Sequence, residues 1–265
     1  MNLTEKRMVE LLTELKEKYN VLGVKAEFEA EGTRLEEAMR LKEISLKANL
    51  DLNLKIGGCE AIKDMFDAIS LGVGRIIAPM VETDYALKKY LNAVKIAFSN
   101  GQAEDVEFLI NVETITSVNN LDKMLTLPNI KSLDGIVIGR VDLCGSLGLT
   151  REDINSQKIL DISLQIAEKA KAAGLSVVIG GGVSVHSIPF FKTFPQGHLD
   201  RFETRKVVFN CPNALNNPEA AFLKAVEFEI LWLKNKKNYY GAIHREDDDR
   251  LKMMENRYLD SIKSL

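Results

Sequence analysis

The sequence has little of what marks a secreted or membrane protein. It carries only three cysteines, Cys59, Cys144 and Cys211, and an odd number at wide spacing argues against a disulfide framework. No apolar run approaches the roughly 20 residues needed to span a bilayer. The first 19 residues form a charged amphipathic stretch rather than a signal peptide. We therefore expect a soluble protein of a reducing cytoplasm that does not bind membranes.

An excess of basic charge is also absent. The 35 lysines and arginines face 38 aspartates and glutamates, which gives a formal net charge of −3. Nothing in this balance favours a nucleic acid as partner, because nucleic-acid-binding domains are usually basic. With 265 residues, 46% of them hydrophobic, the chain has an ordinary globular composition and can bury a sizeable core.

Short β-branched runs alternate with helical patterns along most of the chain, which is typical of βαβ units and a parallel sheet. The seven predicted strands span residues 21–29, 52–56, 75–80, 106–113, 135–138, 175–179 and 201–209. This number favours an α/β fold of the (β/α)₈ TIM-barrel type, with an irregular or missing strand. A doubly wound open sheet is the alternative. It would need a glycine-rich phosphate turn after the first strand, where the sequence reads Glu-Ala-Glu-Gly.

The predicted helices fill the gaps between strands. One of them, at residues 33–48, begins with Thr33 and Glu36 in the spacing of a capping box. Residues 1–212 are assigned to the barrel and residues 213–265 to a helical extension. In this extension we expect an apolar helix at 220–233, a polar break around 235–238 and a last helix from about Asp247. The apolar helix should pack on the barrel or on a neighbouring subunit.

Several predicted strands alternate charged with apolar residues, although strands of a parallel barrel are usually apolar on both faces. Since successive side chains point to opposite faces, the apolar set should meet the helices and the charged set should point into the barrel. The inward set comprises Lys25, Glu27, Glu29, Lys55, Glu113 and Arg205. Buried charges are costly unless they are paired, hydrated or metal-bound, so this set indicates a functional site. A purely structural ion-pair network is the alternative.

Two acidic residues follow consecutive predicted strands. Glu113 ends the strand Phe-Leu-Ile-Asn-Val, and Asp142 comes shortly after Gly-Ile-Val-Ile. Barrel enzymes keep their chemistry at the carboxyl ends of the strands, and Mg²⁺ is commonly held by one or two carboxylates. The pair is therefore a candidate metal site. Glycines at 139, 145 and 148 bracket Asp142 and predict a loop that lets backbone approach a ligand.

Three segments, Ile-Ala-Pro-Met-Val-Glu-Thr at 77–83, Ile-Asn-Val-Glu-Thr at 110–114 and Gly-Arg-Val-Asp-Leu-Cys-Gly-Ser-Leu-Gly at 139–148, resemble those of the HpcH/HpaI aldolase and citrate lyase β-subunit family. The resemblance implies a barrel that makes or breaks carbon–carbon bonds next to a 2-oxo acid. It also implies that Glu113 and Asp142 bind Mg²⁺ or Mn²⁺, which would chelate a pyruvate-like unit. Backbone at Gly139 could contact the substrate carboxylate, and Arg140 would add a cation near the mouth. Lys25 and Arg205 are further candidates for substrate binding.

The sequence departs from that family in its catalytic residues. The family's Val-Arg-Val strand corresponds to Leu-Lys-Ile at 54–56, so Lys55 would replace an arginine without its planar fork. No histidine follows the first strand, and Glu27, Glu29 or Glu31 could serve as the acid–base group instead. Two alternatives to a 2-oxo-acid aldolase remain open: a CoA-ester lyase of the citrate or malyl type, and a degenerate barrel that only binds or scaffolds. The resemblance also implies a homo-oligomer.

Overall fold

Eight strands close into one barrel in chain order in the computed structural model, which describes residues 1–99, 101 and 103–263. The strands are β1 (Val21–Glu27), β2 (Asp51–Lys55), β3 (Arg75–Ala78), β4 (Glu107–Val112), β5 (Gly135–Gly139), β6 (Ser176–Gly180), β7 (Arg201–Glu203) and β8 (Val207–Asn210). β1 to β7 pair in parallel. The predicted TIM-type barrel is confirmed, and the irregularity lies in its last strand.

The last strand, β8, runs antiparallel to both β7 and β1. The expectation of one strand at 201–209 is wrong, because this segment folds back as a hairpin. In its turn, the Thr204 N–H donates to the carbonyl of Val207 at 2.9 Å, and the Val207 N–H donates to Thr204 Oγ1 at 3.1 Å. The two mutual bonds reverse the chain within three residues. The hairpin thus supplies the eighth strand and closes the barrel.

The helices fall between the strands, largely as the sequence predicts. They are α1 (Leu3–Tyr19), α2 (Leu35–Lys47), α3 (Ile62–Leu71), α4 (Asp84–Ala97), α5 (Ile115–Leu125), α6 (Arg140–Ser146), α7 (Gln157–Ala172), α8 (Ile188–Lys192) and α9 (Pro218–Lys263). Two details differ. α2 begins at Leu35, where Glu37 rather than Glu36 accepts the hydrogen bond of the Arg34 N–H. The segment expected to be a glycine-rich loop at 139–148 instead contains the short helix α6.

The apolar core lies between the strands and the surrounding helices, as the alternation predicts. Inside the barrel a separate, smaller cluster comes from the middle strands: Ile77, Leu109, Val137 and Val178. The charged interior residues Lys25, Glu27, Lys55 and Glu203 come from β1, β2 and β7. The apolar cluster thus comes from the middle strands β3 to β6, and the lysine-centred charges come from β1, β2 and β7.

The C-terminal extension contains one continuous helix, α9, and the predicted break at 235–238 is absent. The polar residues there bind the barrel's outer helices: Asn235 Nδ2 donates to Glu5 of α1, and Lys236 Nζ donates to Glu37 of α2. The polar side chains therefore bind α1 and α2 instead of solvent, and the helix continues through them. Beyond Tyr240 the helix is largely exposed. None of the helices in the described residues is long and apolar enough to cross a membrane.

Candidate functional site

A cavity of about 910 Å³ opens at the carboxyl ends of the barrel strands. Its polar lining brings together most residues of the predicted site: Lys25, Glu27, Lys55, Glu113, Gly139, Asp142 and Arg205. The parallel strands carry these side chains to one face, since each lies at or just beyond the end of its strand. The lining also includes Asn111 of β4 and Glu203 of β7. Glu203 was not among the predicted site residues.

Glu113 is held in place by two donors. Its Oε1 accepts from the backbone N–H of Met80 at 2.9 Å, and its Oε2 accepts from Asn111 Nδ2 at 2.7 Å. Met80 has a φ of 51°, a left-handed conformation that is uncommon outside glycine. Burial raises the pKa of Glu113, and its two donors and the positive charge of Lys55 only partly oppose that effect. A cation beside Glu113 would favour the ionised carboxylate.

Asp142 lies in the first turn of α6, exposed, and lines the same cavity as Glu113. Its charge acts on Glu113 and adds to the rise in that residue's pKa. Asn111 Oδ1 is buried nearby without a hydrogen-bond partner in the described structure. Two carboxylates and a free amide oxygen are the oxygen donors that a hard divalent cation takes. The residues therefore fit such a cation, although the described residues contain no group of three or more His, Cys, Asp or Glu side chains that could hold a metal ion.

Lys25 forms the centre of a buried ion-pair network. Its Nζ lies 2.6 Å from Glu203 Oε1 and 3.0 Å from Glu27 Oε1, and all three residues are buried. Burial by itself lowers the pKa of Lys25, but the two carboxylates outweigh it and raise the pKa above its ordinary value. The lysine thus remains charged, and the network confirms that the alternate residues of β1 point inward.

Lys55 links this network to the mouth of the barrel. Its Nζ lies 2.9 Å from Glu29 Oε2 and 3.9 Å from Glu27 Oε2. Burial lowers the pKa of Lys55, yet the nearby carboxylates, Glu27 first, produce a net rise. The two lysines beside Glu27 keep the pKa of this carboxyl low against the opposing effect of burial. Lys55 is therefore a charged group between the network and Glu113.

Arg205 occupies the turn between β7 and β8, and not the barrel interior that its strand parity predicted. Its Nε donates to Glu31 Oε1 at 3.0 Å, and its side chain is 52% exposed. Lys206 binds the other oxygen of Glu31. Since both oxygens of Glu31 are engaged by cations, this residue joins the β1–α2 loop to the hairpin turn. Lys206 is buried because the chain folds back as a hairpin here. The alternation of apolar and charged residues did not predict this hairpin.

Arg140 lies apart from the cavity, in contrast to the expectation that it stands near the mouth. It is fully buried, and its guanidinium donates to backbone carbonyls and to two polar side chains. The acceptors are Gly180 O, Ile154 O, Asn155 Oδ1, Gly181 O and Ser187 Oγ. Burial lowers the pKa of Arg140 to about 10. All five N–H donors are occupied, so Arg140 ties α6 to the ends of β6 and α8 rather than to a substrate.

Comparison with known proteins agrees with this architecture. The sequence model of the HpcH/HpaI aldolase/citrate lyase family matches residues 55–182, which include Lys55, Glu113 and Asp142. A curated 2-keto-3-deoxy-L-rhamnonate aldolase of Shigella dysenteriae serotype 1 (strain Sd197) is 37% identical over 73 residues. That match spans 26% of this chain and 26% of the relative, so it covers only about a quarter of the relative's length.

Solved structures share the fold at low identity. An HpcH/HpaI aldolase from Desulfitobacterium hafniense DCB-2 superposes with a TM-score of 0.59 at 12% identity, covering 85% of this chain and 90% of the other. A family protein from Burkholderia cenocepacia J2315 gives 0.59 at 16% identity, over 86% and 92%. These likenesses concern the barrel alone. The sequence match shows that residues 55–182, which include both acidic residues, resemble the HpcH/HpaI aldolase/citrate lyase family.

Proposed function

We propose that the protein is a divalent-metal-dependent carbon–carbon lyase, an aldolase that acts on a 2-oxo acid. The observation that carries the proposal is the pair Glu113 and Asp142, which come from the ends of neighbouring strands and line one cavity beside Lys55. The match of residues 55–182 to an aldolase and lyase family supports the reaction class. The curated relative is an aldolase by name, which supports the same class without fixing the substrate.

The proposed metal ligands are Glu113 and Asp142, with Mg²⁺ or Mn²⁺ as the cation. Bound there, the cation would supply Lewis-acid stabilisation of negative charge on the 2-oxo oxygen of the substrate. Asn111 holds the Glu113 carboxylate through its Nδ2 and leaves Oδ1 free in the same cavity. A buried acceptor without a partner is costly, and Oδ1 would be a further oxygen ligand of the cation.

Lys55 supplies the positive charge that a 2-oxo carboxylate requires. Lys55 is closest in role to the arginine of related sequences, since it ends β2 and stays charged beside Glu27 and Glu29. Lys25 lies deeper and is neutralised by two carboxylates, so it fixes the network rather than binding the substrate directly. Arg205 is half exposed at the rim and would contact only a long substrate.

Glu29 is the proposed proton carrier. Glu27 lies between two lysines that lower its pKa against the effect of burial, and Glu31 is bound by two cations. Glu29 forms an ion pair with Lys55, accepts from the N–H of Ala30, and is partly exposed. In cleavage, the carboxylate accepts the proton of the C4 hydroxyl as the C3–C4 bond breaks. The electron pair of that bond stays on the pyruvate half, which then takes up a proton at C3. The products are pyruvate and an aldehyde.

Exchange of the methyl protons of pyruvate in deuterated buffer tests this proposal. With Mg²⁺ or Mn²⁺ present, the methyl signal should disappear from the ¹H NMR spectrum, because removal of a C3 proton is the reverse of the last step. Glu113→Gln and Asp142→Asn should both abolish exchange and metal binding in calorimetric titration. Lys55→Ala should slow exchange by about 10²-fold, in the range of a positioned catalytic group.

Asp122→Asn is the matched control, since this carboxylate is exposed on α5 and pairs with Lys169. It should leave both metal binding and exchange unchanged. Metal binding without any exchange would reject the aldolase proposal in favour of a barrel that only binds ligands. Full metal affinity in Glu113→Gln and Asp142→Asn would reject the ligand assignment.

A further inference from the structure

The cavity above the metal ligands continues onto an apolar wall formed by α9. Phe222, Leu223, Ala225 and Val226 of this helix line the same cavity as Glu113 and Lys55, and Val185 faces it from the segment after β6. Leu223 is 72% exposed and Val226 is 52% exposed. The cavity is thus polar where the strands end, and α9 adds these four apolar side chains beside Glu219 and Glu229.

This wall depends on the reversal of the last strand. In a regular barrel, long loops follow the seventh and eighth strands and contribute to the active-site face. Here the three residues Thr204 to Lys206 are all that connects β7 with β8. No long loop rises at that position, so the cavity extends past the turn to α9. The polar residues on this part of the lining are Arg151, Ser184, Thr204, Arg205, Glu219 and Glu229.

We propose that the α9 wall binds the part of the substrate that becomes the aldehyde, and that this part is an apolar chain. The inference rests on the proposed aldolase function and specifies its substrate class. The apolar side chains share one cavity with the residues that would hold the 2-oxo acid, so the rest of a bound substrate would extend along them. Covering Leu223 and Val226 with a hydrocarbon chain removes apolar surface from water, which is favourable.

A series of aldehydes offered to the enzyme with pyruvate and Mg²⁺ tests this inference. The kcat/KM for aldol addition should rise from propanal through butanal and pentanal to hexanal, by about twofold to fourfold per methylene, since a fully buried CH₂ contributes about 0.8 kcal/mol. Propanal should also be preferred over glyceraldehyde, which has the same three carbons and two hydroxyls. Equal or lower values for the longer aldehydes, or no addition to any of them, would overturn the inference.

The variants Leu223→Ser and Val226→Ser should flatten the chain-length series, because each removes apolar surface from the wall. Leu233→Ser is the control: this side chain is 54% exposed on α9 and lies outside the cavity lining, so the series should be retained. Analytical ultracentrifugation of the same variants measures their oligomeric state and tests whether a second subunit covers the wall instead. If Leu223→Ser dissociates an oligomer and leaves the series intact, the wall is a subunit contact and the inference is wrong.

Pyruvate exchange in the unaltered protein separates this failure from that of the proposed function. Absence of exchange with Mg²⁺ and Mn²⁺ would remove the aldolase proposal and the inference together. Exchange combined with a preference for glyceraldehyde would remove the inference alone, because the site would then process a 2-oxo acid with a hydroxylated partner.

Discussion

The carboxylate of Glu113 lies in the space that a β-carbon on Gly139 would occupy. Such a carbon would stand 2.5 Å from Glu113 Oε2 and 2.7 Å from Glu113 Cβ. Contacts this short do not occur between real side chains, so one of the two groups would have to move. The glycine at the end of β5 is therefore a steric requirement of the acidic residue that follows β4. The contact between the Gly139 backbone and a substrate carboxylate stays a separate prediction.

Gly139→Ala should displace Glu113 from its donors Met80 and Asn111. Overpacking of this kind costs about 1–3 kcal/mol of folding free energy, and the displaced carboxylate should weaken Mn²⁺ binding at least tenfold. Calorimetric titration measures the affinity, and urea unfolding measures the stability. Gly145→Ala is the matched control, because a β-carbon at that position in α6 meets nothing within 4 Å. Unaltered Mn²⁺ affinity in Gly139→Ala would contradict the steric argument.

Lys25→Met should be among the most destabilising single substitutions in the barrel. It would leave the carboxylates of Glu27 and Glu203 buried without their shared cation, and breaking a buried ion pair in this way costs about 3–5 kcal/mol. The free energy of unfolding in urea measures the loss. The double variant Lys25→Met with Glu203→Gln should recover part of it, since one uncompensated charge is removed.

Lys63→Met is the control for this substitution. Lys63 also pairs with a carboxylate, Asp67, but its side chain is 80% exposed, and such pairs contribute little. The unfolding midpoint should stay where it is. A loss of stability in Lys25→Met no larger than that in Lys63→Met would mean that the interior network is hydrated and contributes no net stability.

The strand pattern predicted the barrel and its inward charges because both follow from the two-residue period of a strand. Lys25 and Glu27 alternate with apolar neighbours, and the structure pairs both of them inside the barrel. Glu113 and Asp142 reach one cavity because parallel strands end on one face. These features depend only on local sequence and on one property of parallel sheets.

Features that depend on distant contacts could not be predicted in the same way. Arg205 does not point into the barrel as its strand parity predicted, because the chain turns at Thr204. A turn made by side-chain and backbone bonds has no hydrophobic period. The break expected near Asn235 is missing because that residue binds Glu5, 230 positions earlier. In both cases a tertiary contact decides the local structure.

Arg140 illustrates the same limit and provides a further prediction. Its position beside Asp142 suggested a cation at the mouth, whereas all its donors bind buried acceptors. Arg140→Lys would keep the charge but supply fewer donors, which leaves buried oxygens unpaired at about 1–3 kcal/mol each. We expect a loss of roughly 2–4 kcal/mol in urea unfolding. The KM for pyruvate should change little, and a large rise in KM with normal stability would return Arg140 to the substrate site.

The contact of α9 with α2 should weaken in acid. Glu37 Oε2 accepts from Lys236 Nζ at 2.8 Å, and Glu37 Oε1 accepts from the Tyr240 hydroxyl at 2.7 Å. Although burial opposes the effect, these bonds lower the pKa of Glu37 below its usual 4.5. A carboxyl whose pKa is depressed by folding contributes stability above its unfolded pKa and loses it as the pH falls through the folded one. The contact should therefore be intact at pH 6 and weaken below about pH 4.5.

Trp232, the single tryptophan, reports on this contact because it is buried on α9 one turn before Lys236. Its emission should shift to longer wavelength between pH 6 and pH 3.5, while circular dichroism at 222 nm shows that the barrel remains folded. In Glu37→Gln the shift should already be partly present at pH 6 and should depend less on pH, since an amide does not titrate. Asp248→Asn, at an exposed position of α9, should behave like the unaltered protein. If the acid transition in Glu37→Gln is identical to that of the unaltered protein, other carboxyls cause the pH dependence. Glu5 of α1 is the next group to test. Its pKa is also lowered, because its bonds to Arg40, Asn2 and Asn235 outweigh the effect of burial.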